Sequence, residues 1–320
     1  MSSLFMATGL PFFIIVLLGP LFIRILKKLN FGQQIRSQGP ESHTEKEGIP
    51  TMGGVAIILA LLLSSWFVLE PESDVIWVLL ITCGMGCIGF LDDYLQIRAQ
   101  RSLGLKARYK ISGQFLLGLL LALYTYRYSS VGADILLPGG NIISLGAGII
   151  PFIMLTVVGT ANAVNLTDGL DGLASGITVT VAGLLGIFLW QLNYLQLSLF
   201  SLIVAGACIG FLWYNSHPAR VFMGDTGSLA LGGAISAVAV LAGAEILLLI
   251  AGLVFVGETL SVMIQVTYFR ITGGRRIFAM TPLHHHFELK GKKESKIVAW
   301  FIIMSLVFCG LGLFLFQAFF

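Results

Sequence analysis

Apolar runs about twenty residues long alternate along this chain with short polar loops. A transmembrane helix needs roughly 20 consecutive apolar residues. Ten such runs fall at about 4–25, 51–69, 75–92, 111–128, 146–164, 172–190, 197–214, 224–243, 246–269 and 297–319. The sixth and seventh share one uncharged run, which Gln191-Leu192-Asn193-Tyr194 divides. The fourth is the weakest, because Lys110 and Arg127 bracket only 16 residues. The stretch 129–145 holds Gly132, Pro138 and Gly139-Gly140, the turn residues of a hairpin. No internal repeat interrupts the pattern. It predicts an all-α integral membrane protein, a bundle of ten transmembrane helices forming one polytopic domain over residues 1–320.

Composition narrows the class. Of 320 residues, 57% are hydrophobic and 11% charged, with mean hydropathy +0.92. Soluble domains carry about 25% charged residues. A water-soluble globule, a disordered chain and a nucleic-acid-binding module are excluded. The net charge of +3 says less than the placement of the charges. Loops 24–50 and 93–110 carry five Lys or Arg each, loop 215–223 carries Arg220, and loop 270–296 carries seven. That is 18 of the 19 basic residues, all on one side if ten helices alternate, with Arg127 alone opposite. By the positive-inside rule that side is cytoplasmic and both termini face out. The first run lacks a basic leader and is followed by Lys27-Lys28, so it reads as a retained span rather than a cleaved signal.

The polar clusters collect at the cytoplasmic ends of these spans. They are Pro50–Gly54, Asp92-Asp93-Tyr94, Asn165–Gly172, Asn215 through Ser228, and Pro282–Glu288. Charged groups at membrane depth cost about 2.5–3.5 kcal/mol each on insertion scales, so they call for explanation. Five distant segments supplying acids, histidines and glycines to one face point to an active site open to the cytosol.

Asp92 and Asp93 close the third helix, where acids oppose the helix dipole. They serve either as a solvated helix end or as a base and its orienting partner. Asp168 and Asp171 share a face if the sixth helix begins there, and ordinary N-capping is the alternative. Asp225 opens the eighth helix. Together with Asp92, Asp93, Asp168 and Asp171 it forms an oxygen-rich set, which suits Mg²⁺ or Mn²⁺ better than zinc. His284-His285-His286, read as an extended segment, cannot all face one ion; phosphate contact, leaving-group protonation or nucleotide contact fits them better, with a solvated loop as the alternative. Glu258 inside the ninth span marks either a helix break or a polar interhelical contact. Cys83, Cys87, Cys208 and Cys309 form no CxxC or zinc spacing and read as buried free thiols.

In their order, these five segments resemble the bacterial phospho-N-acetylmuramoyl-pentapeptide transferases. Those belong to the polyprenyl-phosphate N-acetylhexosamine-1-phosphate transferase superfamily, of glycosyltransferase 4 type. The resemblance covers essentially the whole chain, and the triple-His segment is the part associated with the muramoyl-pentapeptide branch. It implies transfer of phospho-N-acetylmuramoyl-pentapeptide from its UDP-linked donor to undecaprenyl phosphate, giving lipid I and UMP. It also implies Mg²⁺ as cofactor, a homodimer, and a multi-pass enzyme of the bacterial cell (inner) membrane working in peptidoglycan synthesis.

By matching position, the resemblance makes Asp225 the Mg²⁺ ligand and Asp92 the base on the lipid phosphate, with Asp93 in support. Asn165, Asp168 and Asp171 line the nucleotide and metal region. Lys46, Asn215, Phe222 and Gln265 fall where the family contacts uridine or phosphates. His284 and His285 fit its catalytic and nucleotide-contacting histidines. One position departs: members often carry a Lys four residues after the first Asp of the pair, and here Gln96 stands there. Arg98, Arg101, Arg108 and Lys110 are the candidates to replace it.

Two rival functions remain. A related transferase would prefer UDP-N-acetylglucosamine as donor. A secondary transporter would also carry intramembrane acids, but its site tends to lie at the bilayer midplane between repeats.

Overall fold

The structure is a computed structural model and describes residues 2–29, 48–99 and 104–317. The helices are α1 (Ser2–Lys28), α2 (Gly54–Val68), α3 (Ser73–Ala99), α4 (Ala107–Tyr128), α5 (Ile149–Thr167) and α6 (Leu173–Gln191). They continue as α7 (Leu195–Asn215), α8 (Gly224–Leu241), α9 (Glu245–Ala251), α10 (Leu253–Ile271), α11 (Leu283–Leu289) and α12 (Glu294–Phe316). Among the described residues, eight helices are long and apolar enough to cross a membrane. α2 is apolar but has 15 residues, and α4 has 22 but carries Arg108, Lys110 and Arg127. Large apolar side chains such as Trp66, Leu17 and Phe314 cover the outside of the bundle. That surface suits lipid and is far too apolar for water. The chain is a multi-pass, all-α membrane protein.

α8 is the axis of the bundle. Thr226 through Leu241 are all buried, and α2, α3 and α5 pack around them. Its sequence, Gly224-Asp225-Thr226-Gly227-Ser228 onward, is rich in small residues. Such residues let helix backbones approach closely where lipid removes the hydrophobic drive for packing. The closest approaches are at Gly54 and Gly89. A Cβ on Gly54 would overlap the Gly227 backbone, and one on Gly89 would overlap the Asp225 carbonyl. α2 and α3 therefore press directly on the first turn of α8.

The break between α6 and α7 falls at 192–194, where the polar gap predicts it, and Asn193 takes a left-handed φ of 62°. Residues 129–145 contain the expected hairpin. β1 (Asp134–Leu137) pairs antiparallel with β2 (Asn141–Ser144), in the register Asp134↔Ser144 and Leu137↔Asn141. Leu136 N–H donates to the Gly243 carbonyl at 2.8 Å, which ties the hairpin to the far end of α8. Eighteen residues separate that end from Gly224, about 27 Å along a helix.

Five expectations are corrected. The ninth apolar run is two helices, α9 and α10, parted at Gly252; Glu258 lies inside α10, not at the break. α3 continues to Ala99, so Asp92 and Asp93 sit within the helix rather than closing it. α6 begins at Leu173, so Asp168 caps α5 and Asp171 lies in the turn between, and the two do not share a face of α6. The three histidines are not extended but form the short helix α11. Of the cysteines, Cys208 and Cys309 are buried, Cys83 is half-buried, and Cys87 is exposed on the apolar surface.

Candidate active site

The first turn of α8 gathers the predicted acids. Asp93 is buried and accepts three hydrogen bonds there. Its Oδ1 takes the Asp225 N–H at 3.0 Å, and its Oδ2 takes the Thr226 N–H at 2.9 Å and the Thr226 hydroxyl at 2.6 Å. A helix start leaves its first N–H groups unpaired and carries partial positive charge, so a carboxylate from α3 satisfies both needs. Asp93 thus holds α8 to α3 and aims Asp225.

Asp225 meets polar side chains of α4 and α5. Lys110, from the first turn of α4, makes an ion pair with its Oδ2. Asn165 Nδ2 donates to its Oδ1 at 2.8 Å and to Ser228 Oγ at 2.9 Å. Asp92, also buried, accepts from Gln96 Nε2 at 2.6 Å and from the Leu105 N–H at 2.7 Å. The Lys expected at position 96 is therefore replaced by an uncharged donor to Asp92. The cation at the centre is Lys110.

Asp168, at the end of α5, is half-buried, and its carboxylate accepts no hydrogen bond among the described residues. Burial, and then the charges of Asp225, Asp93 and Asp171, push its carboxyl up to about 8. Asp92, Asp93 and Asp168 all lie within reach of the Asp225 charge, and Lys110 pairs with Asp225. Such an excess of negative charge on oxygen donors is the environment a hard divalent cation neutralises. By donor type these acids would suit Mg²⁺, with Asp225, whose carboxylate meets Lys110 and Asn165, the expected ligand.

The other predicted residues surround this centre. Asp171 Oδ2 accepts the Ala219 N–H at 3.0 Å and lies 3.2 Å from His217 Nδ1, while its own N–H donates to Glu294 Oε1 at 2.7 Å. Asn215 spends its amide on structure: Oδ1 accepts from Gly172 N–H and Ser175 Oγ, and Nδ2 donates to the Val221 carbonyl. Gly172 has φ 78°, so the turn into α6 needs a residue without a Cβ. Phe222 pairs its backbone with Pro50 and Gly53, at 2.8 Å each, which joins the 50–54 segment to the start of α8. Gln265 clamps the loop before α11, accepting from the Ile277 and Phe278 N–H groups and donating to the Phe278 carbonyl. His285 Nδ1 lies 2.7 Å from Glu288 Oε2, and its ring touches that of His284. Lys46 lies outside the described residues.

Sequence reasoning missed His217 and Glu294. Asp171, His217 and Glu294 bring ligand atoms within 4.8 Å of one another, the one metal-capable group of this kind among the described residues. His217 follows Asn215 in a basic loop, and Glu294 opens α12. Nothing in that spacing links them to a residue more than 40 positions earlier.

Comparison with known proteins agrees with this geometry. A sequence model described as glycosyl transferase family 4 matches residues 75–243, the span from α3 to the end of α8. The fold and the acidic site at the start of α8 thus define a membrane-embedded member of that family. A phospho-N-acetylmuramoyl-pentapeptide-transferase signature matches residues 46–58, which reach into the start of α2. Curated proteins named phospho-N-acetylmuramoyl-pentapeptide-transferase match nearly end to end. That of Halalkalibacterium halodurans is 48% identical over 311 residues, 96% of this chain and 95% of the relative. That of Desulforamulus reducens is 46% identical over 319 residues, 98% and 95% of the two chains. That of Bacillus subtilis is 45% identical over 309 residues, 95% of each. The chain belongs to the phospho-N-acetylmuramoyl-pentapeptide-transferase family.

Proposed function

We propose that this protein transfers phospho-N-acetylmuramoyl-pentapeptide from its UDP-linked donor to undecaprenyl phosphate, releasing UMP and forming lipid I. The observation that carries the reading is the meeting of Asp92, Asp93, Asp168, Asp225, Asn165 and Lys110 at the start of α8. The reaction joins two anions, and their repulsion must be offset by fixed charge.

Asp225 and Asp168 would hold Mg²⁺, which supplies charge neutralisation at the donor's pyrophosphate. Lys110 adds a second cation beside Asp225. Asn165 orients the Asp225 carboxylate, and Asp93 fixes the helix turn that carries it. Asp92, restrained by Gln96 and Leu105, takes the proton from the lipid phosphate as its oxygen attacks. Asp171, Phe222, Asn215, Gln265 and His285 frame the uridine and phosphate side, and Lys46 is assigned to it by the family's pattern alone. The lipid's isoprenoid tail lies along the apolar helix surfaces while its phosphate reaches the acids.

In this reading the enzyme has ten spans with both termini outside, works as a homodimer in the bacterial inner membrane and faces its site to the cytoplasm. Lys110 and Arg220 stand at the end of α8 that carries the site, and the hairpin lies at the other. An acidic cluster at the end of a helix, not at its midpoint, disfavours a transporter.

The test is a donor competition. Purified protein with undecaprenyl phosphate is offered UDP-N-acetylmuramoyl-pentapeptide and UDP-N-acetylglucosamine together, and the lipid product is identified by mass. Lipid I alone supports the reading. A glucosamine-phosphate lipid moves the protein to the sister branch, and no lipid product in a folded sample reopens transport.

A further inference from the structure

Glu258 lies within α10, fully buried, in a chain where an intramembrane carboxylate is costly. Its Oε1 lies 3.2 Å from His284 Nδ1 and accepts the His284 backbone N–H at 3.3 Å. Its Oε2 has no hydrogen-bond partner. His284 is fully buried as well. The imidazole meets the carboxylate at ion-pair distance rather than along an aligned hydrogen bond, since Nδ1 has no hydrogen-bond partner of good geometry.

The other ring nitrogen is equally telling. His284 Nε2 is buried and unpartnered, and it lies so close to Gly169 that a Cβ there would overlap it. Gly169 sits between Asp168 and Asp171, in the turn that joins α5 to α6. One nitrogen of His284 thus faces a buried carboxylate, and the other faces the turn carrying the site's acids, with no polar group among the described residues to meet it. A buried polar atom without a partner costs about 1–3 kcal/mol and is kept where a ligand completes it.

We propose that Glu258 is a positioning residue for the transfer reaction: it holds His284 with Nδ1–H toward its carboxylate, presenting Nε2 across Gly169 to the phosphate-bearing substrates. The inference rests on the transferase reading above. A carboxylate behind an imidazole fixes which nitrogen carries the proton and how the ring is turned. His284 opens α11 on a loop that Gln265 clamps, so ring orientation is not set by α11 alone. Glu258, on a membrane helix, supplies a rigid reference for it.

Glu258→Gln is the decisive variant. It keeps the side chain's shape, but its amide can donate to Nδ1 and so favour the opposite tautomer. The expected loss in kcat is about 10–100-fold, the usual effect of removing such a partner. KM for both substrates and the melting temperature stay unchanged. Adding Glu258→Gln to a His284→Gln protein costs nothing further, because the two act as one unit. Wild-type kcat in Glu258→Gln, losses that multiply in the double variant, or a fall in melting temperature matching the fall in rate would each overturn the proposal.

A second readout does not depend on turnover. In protein labelled with ¹⁵N-histidine, the His284 signals are identified by their absence from His284→Gln. Glu258→Gln should shift those signals to the other tautomer and leave the other histidines unmoved. Unmoved His284 signals overturn the pairing. If the wild type forms no lipid I while the shift is seen, the reaction reading fails and the pairing stands.

Discussion

Asp93 and Thr226 are joined twice: one carboxylate oxygen of Asp93 accepts both the backbone N–H and the hydroxyl of Thr226, at 2.9 and 2.6 Å. The bond pair fastens the third and eighth helices at the turn that carries Asp225. Stability and chemistry are thereby divided between two neighbouring acids of different duty.

Asp93→Ala should therefore unfold the site as well as inactivate it. Three donors at the start of α8 lose their acceptor, at a cost of at least about 2 kcal/mol. Thermal unfolding in detergent should show a clear drop in midpoint, and Asp93→Asn a smaller one. An unchanged midpoint for Asp93→Ala would assign Asp93 to chemistry alone.

Lys110 is the one cation paired to the central acids among the described residues. Lys110→Met leaves Asp225 near three other carboxylates without a protein cation to balance it. The rate of UMP release should fall by about 10²–10³, the scale for losing one fixed electrostatic group. Lys110→Arg should retain part of the activity, since the charge remains. The measurement is steady-state UMP release at saturating substrates.

In the proposed role, Asp168 would make Mg²⁺ binding depend on pH. Its carboxyl is pushed up to about 8 by burial and by Asp225, Asp93 and Asp171. Below that pH a proton competes with Mg²⁺ for the group; above it the carboxylate is free. The Mg²⁺ concentration giving half-maximal activity should fall as pH rises from 6.5 to about 8, and then level off. In Asp168→Asn that slope should largely vanish.

Gly54 tests the packing. Its Cα faces the Gly227 backbone so closely that a methyl group would overlap it. Gly54→Ala forces α2 away from α8, an overpacking cost of about 1–3 kcal/mol or more. Size-exclusion profiles of the purified variant should show loss of the monodisperse peak. Gly159→Ala, in open space on α5, serves as the control and should behave as wild type.

The helix pattern was legible because lipid demands it: apolar runs mark spans, and Gln191–Tyr194 and Pro138–Gly140 mark turns. The break at Gly252 was not, since residues 246–257 are apolar on both sides and a lone glycine carries little signal. The acids of the site were legible as a set, because charge at membrane depth is costly wherever it stands. Their partners were not. Lys110 and Asp225 are 115 residues apart, and no local rule joins them. The same holds for Glu258 and His284, and for Asp171 with Glu294. The duties of Asp92 and Asp93 also needed three dimensions, because neighbours on one helix point about 100° apart and only the packing decides which meets α8.

The most direct test of the central claim is UMP release from UDP-N-acetylmuramoyl-pentapeptide and undecaprenyl phosphate, with and without Mg²⁺, by the wild type and by Asp225→Asn. The account predicts release by the wild type only with Mg²⁺, and none by Asp225→Asn at an unchanged melting temperature. Full activity in chelator, or a stable Asp225→Asn protein that turns over at the wild-type rate, would contradict it.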